Sequence, residues 1–405
     1  MKQDTTQPEV IPATTQSEAP PVWGTLTGIR PAKVAEKLLI KGKTPKSVTG
    51  ILEKTYHVTP DRAAICVETA QAALAFKSTL AERDVALYIG IPFCTTRCAY
   101  CSFVSNSVER SFDLVEPFVK TLLREIDTLA YLTRELGLRI IAVYIGGGTP
   151  TSIPVKALDE VMSALNRAFD FTNLREYTVE AGRPDTITEE NLKIMTQHGA
   201  KRICVNPQSM SETVLSAIGR AHSPQDTRSA VKLVRKANAA LNMDIIAGLP
   251  CDTAEGFKQT LEAVLELKPE NITVHTLSLK KGSRIMLENT VIPSGSEVGE
   301  MLDYASRRLR ECNYTPYYLY RQKYISGGFE NIGWSLPGHE GIYNICMMEE
   351  LTTVLALGGG GVTKLVTTDG RIERIFNAKY PREYIILTEK MKEKIGRIRE
   401  NAVSI

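Results

Sequence analysis

The stretch "VALYIGIPFCTTRCAYCSF", residues 85–103, decides how this chain reads. Its first seven residues are β-branched, aromatic, aliphatic or small, the composition of a buried strand. Cys94, Cys98 and Cys101 follow at once, at spacing C-x3-C-x2-C. Three thiols so close together at the end of a strand ask for a shared partner.

Working outward, the same kind of run recurs. "RIIAVYIGG" (139–147), "EYTVEAG" (176–182), "KRICVNPQ" (201–208), "NMDIIAGLP" (242–250) and "NITVHTLSL" (271–279) all read as strands. Amphipathic helices fill the gaps. Ser111 is placed to open one with apolar positions Val115, Phe118, Leu122, Ile126 and Leu129, and Gly137 to end it. Ser223 with Pro224 opens another, and Asp252 or Thr253 the next, with Pro269 beyond its end. Six strands alternating with helices make a parallel α/β pattern, either part of a barrel or a doubly wound sheet. In both, the active site lies at the carboxyl ends of the strands. The unusual residues collect there: the cysteines, "GGGTP" after the second strand, Glu180 at the end of the third, Pro207-Gln208 after the fourth and "GLP" after the fifth.

Flanking regions differ in character. Residues 1–22 are rich in Thr, Gln and Pro and read as a disordered tail. Residues 23–84 read as helical, with Thr44-Pro45 and Thr59-Pro60 as start signals. After about Lys280 the alternation stops, and residues 281–405 read as a separate α+β module carrying "LGGGGV" (357–362).

Composition narrows the function. The 405 residues are 43% hydrophobic, enough for a large core. A net charge of +3 argues against a dedicated nucleic-acid binder. No stretch is apolar enough for a signal peptide or a membrane span, so a cytoplasmic protein with reduced thiols is expected. The other five of the eight cysteines are scattered. In a reducing compartment, a cluster of three indicates metal or catalysis rather than disulfides. Structural zinc wants four protein ligands, and the nearest histidines, His57 and His198, are distant in sequence. A [4Fe–4S] cluster usually takes four cysteines. Three leave one iron open to a small amine and carboxylate chelator, such as the methionine end of S-adenosylmethionine.

Taken together, C-x3-C-x2-C after a strand and "YIGGGTPT" downstream resemble the radical S-adenosylmethionine superfamily. "YIGIPFC", "RICVNPQSM", "IGRAHS", "NMDIIAGLP" and "PGHEGIYN" followed by "LALGGGG" are similar to the oxygen-independent coproporphyrinogen III oxidase family. "WGTLTGIRPAKVAEKLL" and "PYYLYRQKYISGGFENIGWSLPG" resemble its coproporphyrinogen dehydrogenase (HemZ-type) branch. The resemblance implies a partial (β/α)6 TIM-like barrel over 85–280, with a helical region before it and an α+β module after it. It implies cluster ligation by Cys94, Cys98 and Cys101. Tyr88 and Tyr100 then stand near cluster and cofactor, and Gly147, Gly148 and Thr149 beside the methionine amine. Glu180 contacts the first S-adenosylmethionine. Gln208, Arg220, Asp244 and, more loosely, Leu277 contact a second.

The implied reaction is oxidative decarboxylation of coproporphyrinogen III to protoporphyrinogen IX, in which a hydrogen is taken from the propionate β-carbon and carbon dioxide and one electron leave. No catalytic residue beyond the cluster set is assigned. The implied partners are a tetrapyrrole and a low-potential donor such as flavodoxin or ferredoxin, and a monomer is expected. Arg97, Arg183, Lys280, Lys281, Arg284 and Arg321 are candidate propionate cations. Two departures from the family pattern stand out: Gly90 replaces a histidine, and Ser102-Phe103 replace an extra cysteine, as in heme-trafficking relatives. They leave open a methyltransferase, an anaerobic heme-degrading enzyme or a non-catalytic heme chaperone on the same scaffold.

Overall fold

A computed structural model describes residues 21–101, 106–279, 283–288, 290–322, 325–367, 370–386 and 388–401. The tail reading therefore lies outside the described residues except at Pro21 and Val22, as do Ser102, Phe103, Lys280 and Lys281.

Three helices come first: α1 (Ala32–Ile40), α2 (Pro45–Tyr56) and α3 (Pro60–Lys77). Thr44 caps α2 by accepting from the Ser47 N–H at 3.3 Å, with Pro45 at the first helical position. Trp23, ahead of these helices, and Arg62 of α3 are joined by Glu330, just before a distant strand, whose carboxylate accepts from Trp23 Nε1 at 2.8 Å and Arg62 Nε at 3.0 Å. Arg62 also reaches Asp303.

The strands are β1 (Asp84–Ile91), β2 (Phe93–Cys94), β3 (Asn106–Ser107), β4 (Arg139–Gly147), β5 (Glu176–Gly182), β6 (Arg202–Val205), β7 (Ala240–Ala247), β8 (Asn271–Thr276), β9 (Thr315–Tyr320), β10 (Asn331–Ser335), β11 (Val354–Gly358), β12 (Val362–Val366) and β13 (Ile372–Phe376). Helices α4 (Val115–Glu135), α5 (Val155–Ala168), α6 (Glu189–Gln197), α7 (Glu212–Ala217), α8 (Pro224–Lys236) and α9 (Ala254–Glu266) connect the central strands. After them come α10 (Arg284–Leu287), α11 (Gly295–Glu311), α12 (Ile342–Glu349), α13 (Pro381–Ile386) and α14 (Thr388–Asn401).

One sheet runs β13-β12-β11-β1-β4-β5-β6-β7-β8-β10-β9, and β2-β3 form a separate parallel pair. From β1 to β8 every neighbour is parallel, the expected (β/α)6 core. Strands from beyond residue 280 extend both edges: β11 lies parallel to β1, and β10 antiparallel to β8. No described helix is long and apolar enough to cross a membrane.

Local chemistry explains most boundaries. α4 starts at Val115 after a 3-10 turn from Ser111, and Gly137, at φ +64, follows its end. α8 opens on a capping box between Ser223 and Asp226, and α9 on Thr253. The fourth run is shorter than its composition suggests. β6 stops at Val205, because Pro207 has no N–H to pair and Gln208 turns to φ 68. A single bridge from Gln208 to Ile245 carries on past the break.

The main core lies between the sheet and its outer helices, where Phe118, Leu122, Ile126, Leu158, Val161, Phe257 and Leu261 are buried. A smaller apolar cluster of Ala99, Val214, Leu215, Ile218, Ile246, Leu249, Leu277 and Ile285 sits beneath the cysteine loop.

Candidate active site

Strand β1 delivers the chain to Pro92, and β2 pairs Phe93 and Cys94 with Asn106 and Ser107. The Val108 N–H donates to the Cys94 carbonyl at 2.9 Å. The Cys101 N–H donates to the Cys98 carbonyl at 3.1 Å, closing a turn. Ala99 ties the loop down: its N–H donates to the Ile218 carbonyl at 2.9 Å, and its own carbonyl accepts from Ile285 at 3.4 Å. Cys94, Cys98 and Cys101 are all half-buried and in no disulfide.

The glycine segment locks onto this loop. The Gly148 N–H donates to the Ile91 carbonyl at 2.8 Å, and the Thr149 N–H to the Phe93 carbonyl at 2.6 Å. A Cβ on Gly148 would overlap the Phe93 carbonyl, so only glycine allows the two segments to lie this close. Thr149 is buried with its hydroxyl 3.5 Å from Cys94 Sγ. Gly148 thus serves the approach of two protein segments, whatever it also offers a ligand.

Gly90 has the same kind of explanation. A Cβ there would stand 2.5 Å from the Gly359 carbonyl, because β1 and β11 pair in parallel with Gly90 opposite Gly358. The "LGGGG" run fills the space that a side chain at this position would need.

A cavity of about 530 Å³ opens beside the loop, lined by Tyr100, Cys101, Tyr144, Glu180, Asn206, Gln208, Asn242, Asp244, His275 and Leu277 among others. Glu180 sits on β5 near the Tyr144 hydroxyl and the Gly147 N–H, both of which favour its ionised form. Burial and the nearby Asp244 push it up to about 8. Burial also pushes the Tyr144 hydroxyl well up, so it remains a donor. On β7, Asp244 accepts from Asn242 Nδ2 at 2.9 Å and lies 3.6 Å from His275 Nε2.

Arg220 has different partners from those an ion pair with Asp244 would require. Its guanidinium donates to the Tyr100 hydroxyl at 3.1 Å and to the carbonyls of Asn206 at 3.0 Å and Gly182 at 3.4 Å. Leu277 is buried in the small apolar cluster and shows one face to the cavity. Tyr88 stands back from the cavity lining, stacked on Tyr343 and Tyr144 with centroids 5.9 and 6.3 Å away.

Of the described propionate candidates, Arg97, Arg183, Arg284 and Arg321, none lines this cavity. Arg97 is exposed, and Arg284 is exposed and paired with Glu288. Arg321 donates to the Leu26 and Gly328 carbonyls and covers the Trp23 ring. Arg183 turns towards the cysteine loop.

Several lining residues escaped the sequence reading: Tyr144, Asn206, Asn242, His275, Tyr318, Tyr320, Asn331, Asn344 and Met348. A signal for some was present. Asn242, Asp244 and Ile246 alternate along β7, as do Thr273, His275 and Leu277 at β8, so each set shares the inner face. Polar residues at alternate positions of an otherwise buried strand mark a lined interior. The contributions of β9, β10 and α12 come from far along the chain and carry no such local mark.

The donor set fits an iron–sulfur cluster with a chelating cofactor. Among the described residues, no three His, Cys, Asp or Glu side chains gather around a single point, as one metal ion demands. A four-iron cluster instead takes each thiolate on a different iron. The buried Oε1 of Gln208 and Oδ1 of Asn206, both on residues lining the cavity, have no hydrogen-bond partner, as acceptors for a polar ligand would.

Comparison with known proteins agrees. A model of the radical SAM superfamily matches residues 88–264. The oxygen-independent coproporphyrinogen-III oxidase-like protein HemZ of Bacillus subtilis is 39% identical over 369 residues, covering 89% of this chain and 74% of that protein. The heme chaperone HemW of Escherichia coli is 25% identical over 74% of this chain and 75% of its own length. Among solved structures, the coproporphyrinogen III oxidase HemN of Escherichia coli, a radical SAM enzyme, shares the fold. Its TM-score is 0.61 at 20% identity, over 82% of this chain and 72% of that one. The family implies a [4Fe–4S] cluster and S-adenosylmethionine, and this chain belongs to the HemN-like family of the radical SAM superfamily, on its HemZ branch.

Proposed function

We propose that this protein is a radical SAM oxidoreductase that decarboxylates coproporphyrinogen III to protoporphyrinogen IX without oxygen, in the cytoplasm. The observation that carries the reading is the 39% identity with the HemZ protein across 89% of this chain. The bound cluster and S-adenosylmethionine supply the hydrogen-abstracting chemistry. The chain's own residues bind and orient. Cys94, Cys98 and Cys101 hold the cluster. Glu180, half-buried beside Tyr144 and Gly147, presents its carboxyl group to the first cofactor. Gln208, with an unpartnered buried oxygen, and Asp244 accept from a second S-adenosylmethionine, while Arg220 keeps Tyr100 in place beside it. A low-potential donor such as flavodoxin or ferredoxin feeds the cluster, and the protein acts as a monomer.

A second reading, a heme carrier that keeps the cluster without turnover, is favoured by the likeness to HemW proteins. One anaerobic experiment separates them. Reconstituted protein is given coproporphyrinogen III, S-adenosylmethionine and a reductant, and protoporphyrinogen and 5′-deoxyadenosine are measured. Formation of both supports the proposal. Heme binding with no 5′-deoxyadenosine supports the carrier, and a methylated tetrapyrrole supports a transferase. Equilibrium binding should give two S-adenosylmethionines per cluster, and one would remove the second site.

A further inference from the structure

Arg183 follows directly on β5 and is 2% exposed. Its Nε and Nη2 donate to Asp185 at 3.2 and 3.3 Å. Its Nη1 donates to the Thr96 hydroxyl at 2.9 Å and lies 3.9 Å from Cys98 Sγ. A guanidinium buried this deeply is expensive unless its surroundings use the charge. Asp185, the neighbouring carboxylate, is only partly buried, so its compensation is shared with solvent.

We propose that Arg183 is a positioning residue that sets the reduction potential of the cluster. It holds the loop between Cys94 and Cys98 through Thr96 and donates towards the Cys98 thiolate. Hydrogen bonds to the sulfurs, local charge and solvent exposure are what tune such a potential. Accepting one electron puts more negative charge on the thiolate side of the site. A fixed cation in a place poor in water stabilises that added charge more than water would. Arginine suits the task because its rigid fork serves Asp185, Thr96 and the sulfur at once, which a single ammonium cannot do. Arg220 is a second buried cation whose charge also acts on Cys98, but its hydrogen bonds go to Tyr100 and two carbonyls and not to the sulfur. His222, which burial and then Arg220 hold down to about 4, adds no charge at neutral pH. The role rests on the family's cluster and not on the identity of the tetrapyrrole. The rival account is a plain clamp between residues 96 and 183 with no electronic effect.

The test is an anaerobic redox titration of the reconstituted full chain, using dithionite and mediators, followed by electron paramagnetic resonance. Arg183→Met should bind wild-type iron and shift the midpoint to more negative values. A tenfold loss of preference for the reduced form reads as about 59 mV in a one-electron couple. Arg183→Lys should recover part of the shift. Asp185→Asn, which removes the counter-charge, should move the midpoint the other way. An Arg183→Met protein with full iron and an unchanged midpoint overturns the proposal. Should that variant take up no iron, Arg183→Gln, which keeps a donor for Thr96 without the charge, decides: a negative shift supports the role of Arg183, and an unchanged midpoint rejects it.

Discussion

At the residue scale, the three cysteines and Glu180 lead to separate tests. Replacing Cys94, Cys98 and Cys101 by alanine should remove the roughly four irons that anaerobic reconstitution gives per chain. Full-occupancy zinc in protein purified without oxygen, with no iron uptake, would exclude the cluster. Glu180→Gln should keep the iron and lose most 5′-deoxyadenosine formation, because an amide cannot give up a proton and become the charged acceptor that a cationic ligand group calls for. Stability should follow pH in a definite direction. The folded carboxyl titrates near 8, above the ordinary value of about 4.3, so the folded state holds a proton that the unfolded chain has released. That contribution is complete below about pH 4.3 and fades as pH rises through 8. The Gln variant should therefore melt with the ligand-free wild type at low pH and a few degrees above it by pH 9, by differential scanning calorimetry. Parallel melting curves at every pH would show that the carboxyl is not held protonated.

At the scale of elements, two contacts make firm predictions. Sequence alone suggests that Gly148→Val would spare the cluster and damage only cofactor use. The Phe93 carbonyl stands where that side chain must go, and Phe93 precedes Cys94 on β2. The variant should therefore lose iron as well as S-adenosylmethionine cleavage, by metal analysis and product assay together. Arg220→Ala strips a donor from the Tyr100 hydroxyl and two carbonyls, so a melting temperature below wild type is expected by differential scanning calorimetry. Glu330→Ala leaves the Arg62 charge and the Trp23 N–H without a buried partner. A loss of about 3–5 kcal/mol is expected by denaturant titration.

Over the whole molecule, both edges of the six-stranded core are covered by strands from beyond residue 280. β11 pairs with β1 from Ala86 to Gly90, and β10 pairs with β8. Residues 85–280 expressed alone would expose two parallel-sheet edges, which are ready templates for aggregation. We expect that fragment to be insoluble or aggregated by size-exclusion chromatography. A monodisperse, folded fragment would establish residues 85–280 as an autonomous domain.

The sequence by itself determined what depends on near neighbours. Strand and helix alternation, the caps at Thr44, Ser223 and Thr253, and the cysteine spacing all rest on contacts within a few residues. It also carried the inner-face alternation of Asn242, Asp244 and Ile246, since a strand's faces repeat every second residue. Tertiary structure alone decided the partners of chemically versatile groups. Arg220 could have met Asp244 but found Tyr100 and two carbonyls, and Arg183 could have faced a substrate but turned to Asp185 and Cys98. Gly90 resembles a lost histidine in the sequence, but the Gly359 carbonyl just past the end of β11 fills its space. A guanidinium or a glycine has many acceptable neighbours, and only the three-dimensional packing of distant segments selects among them.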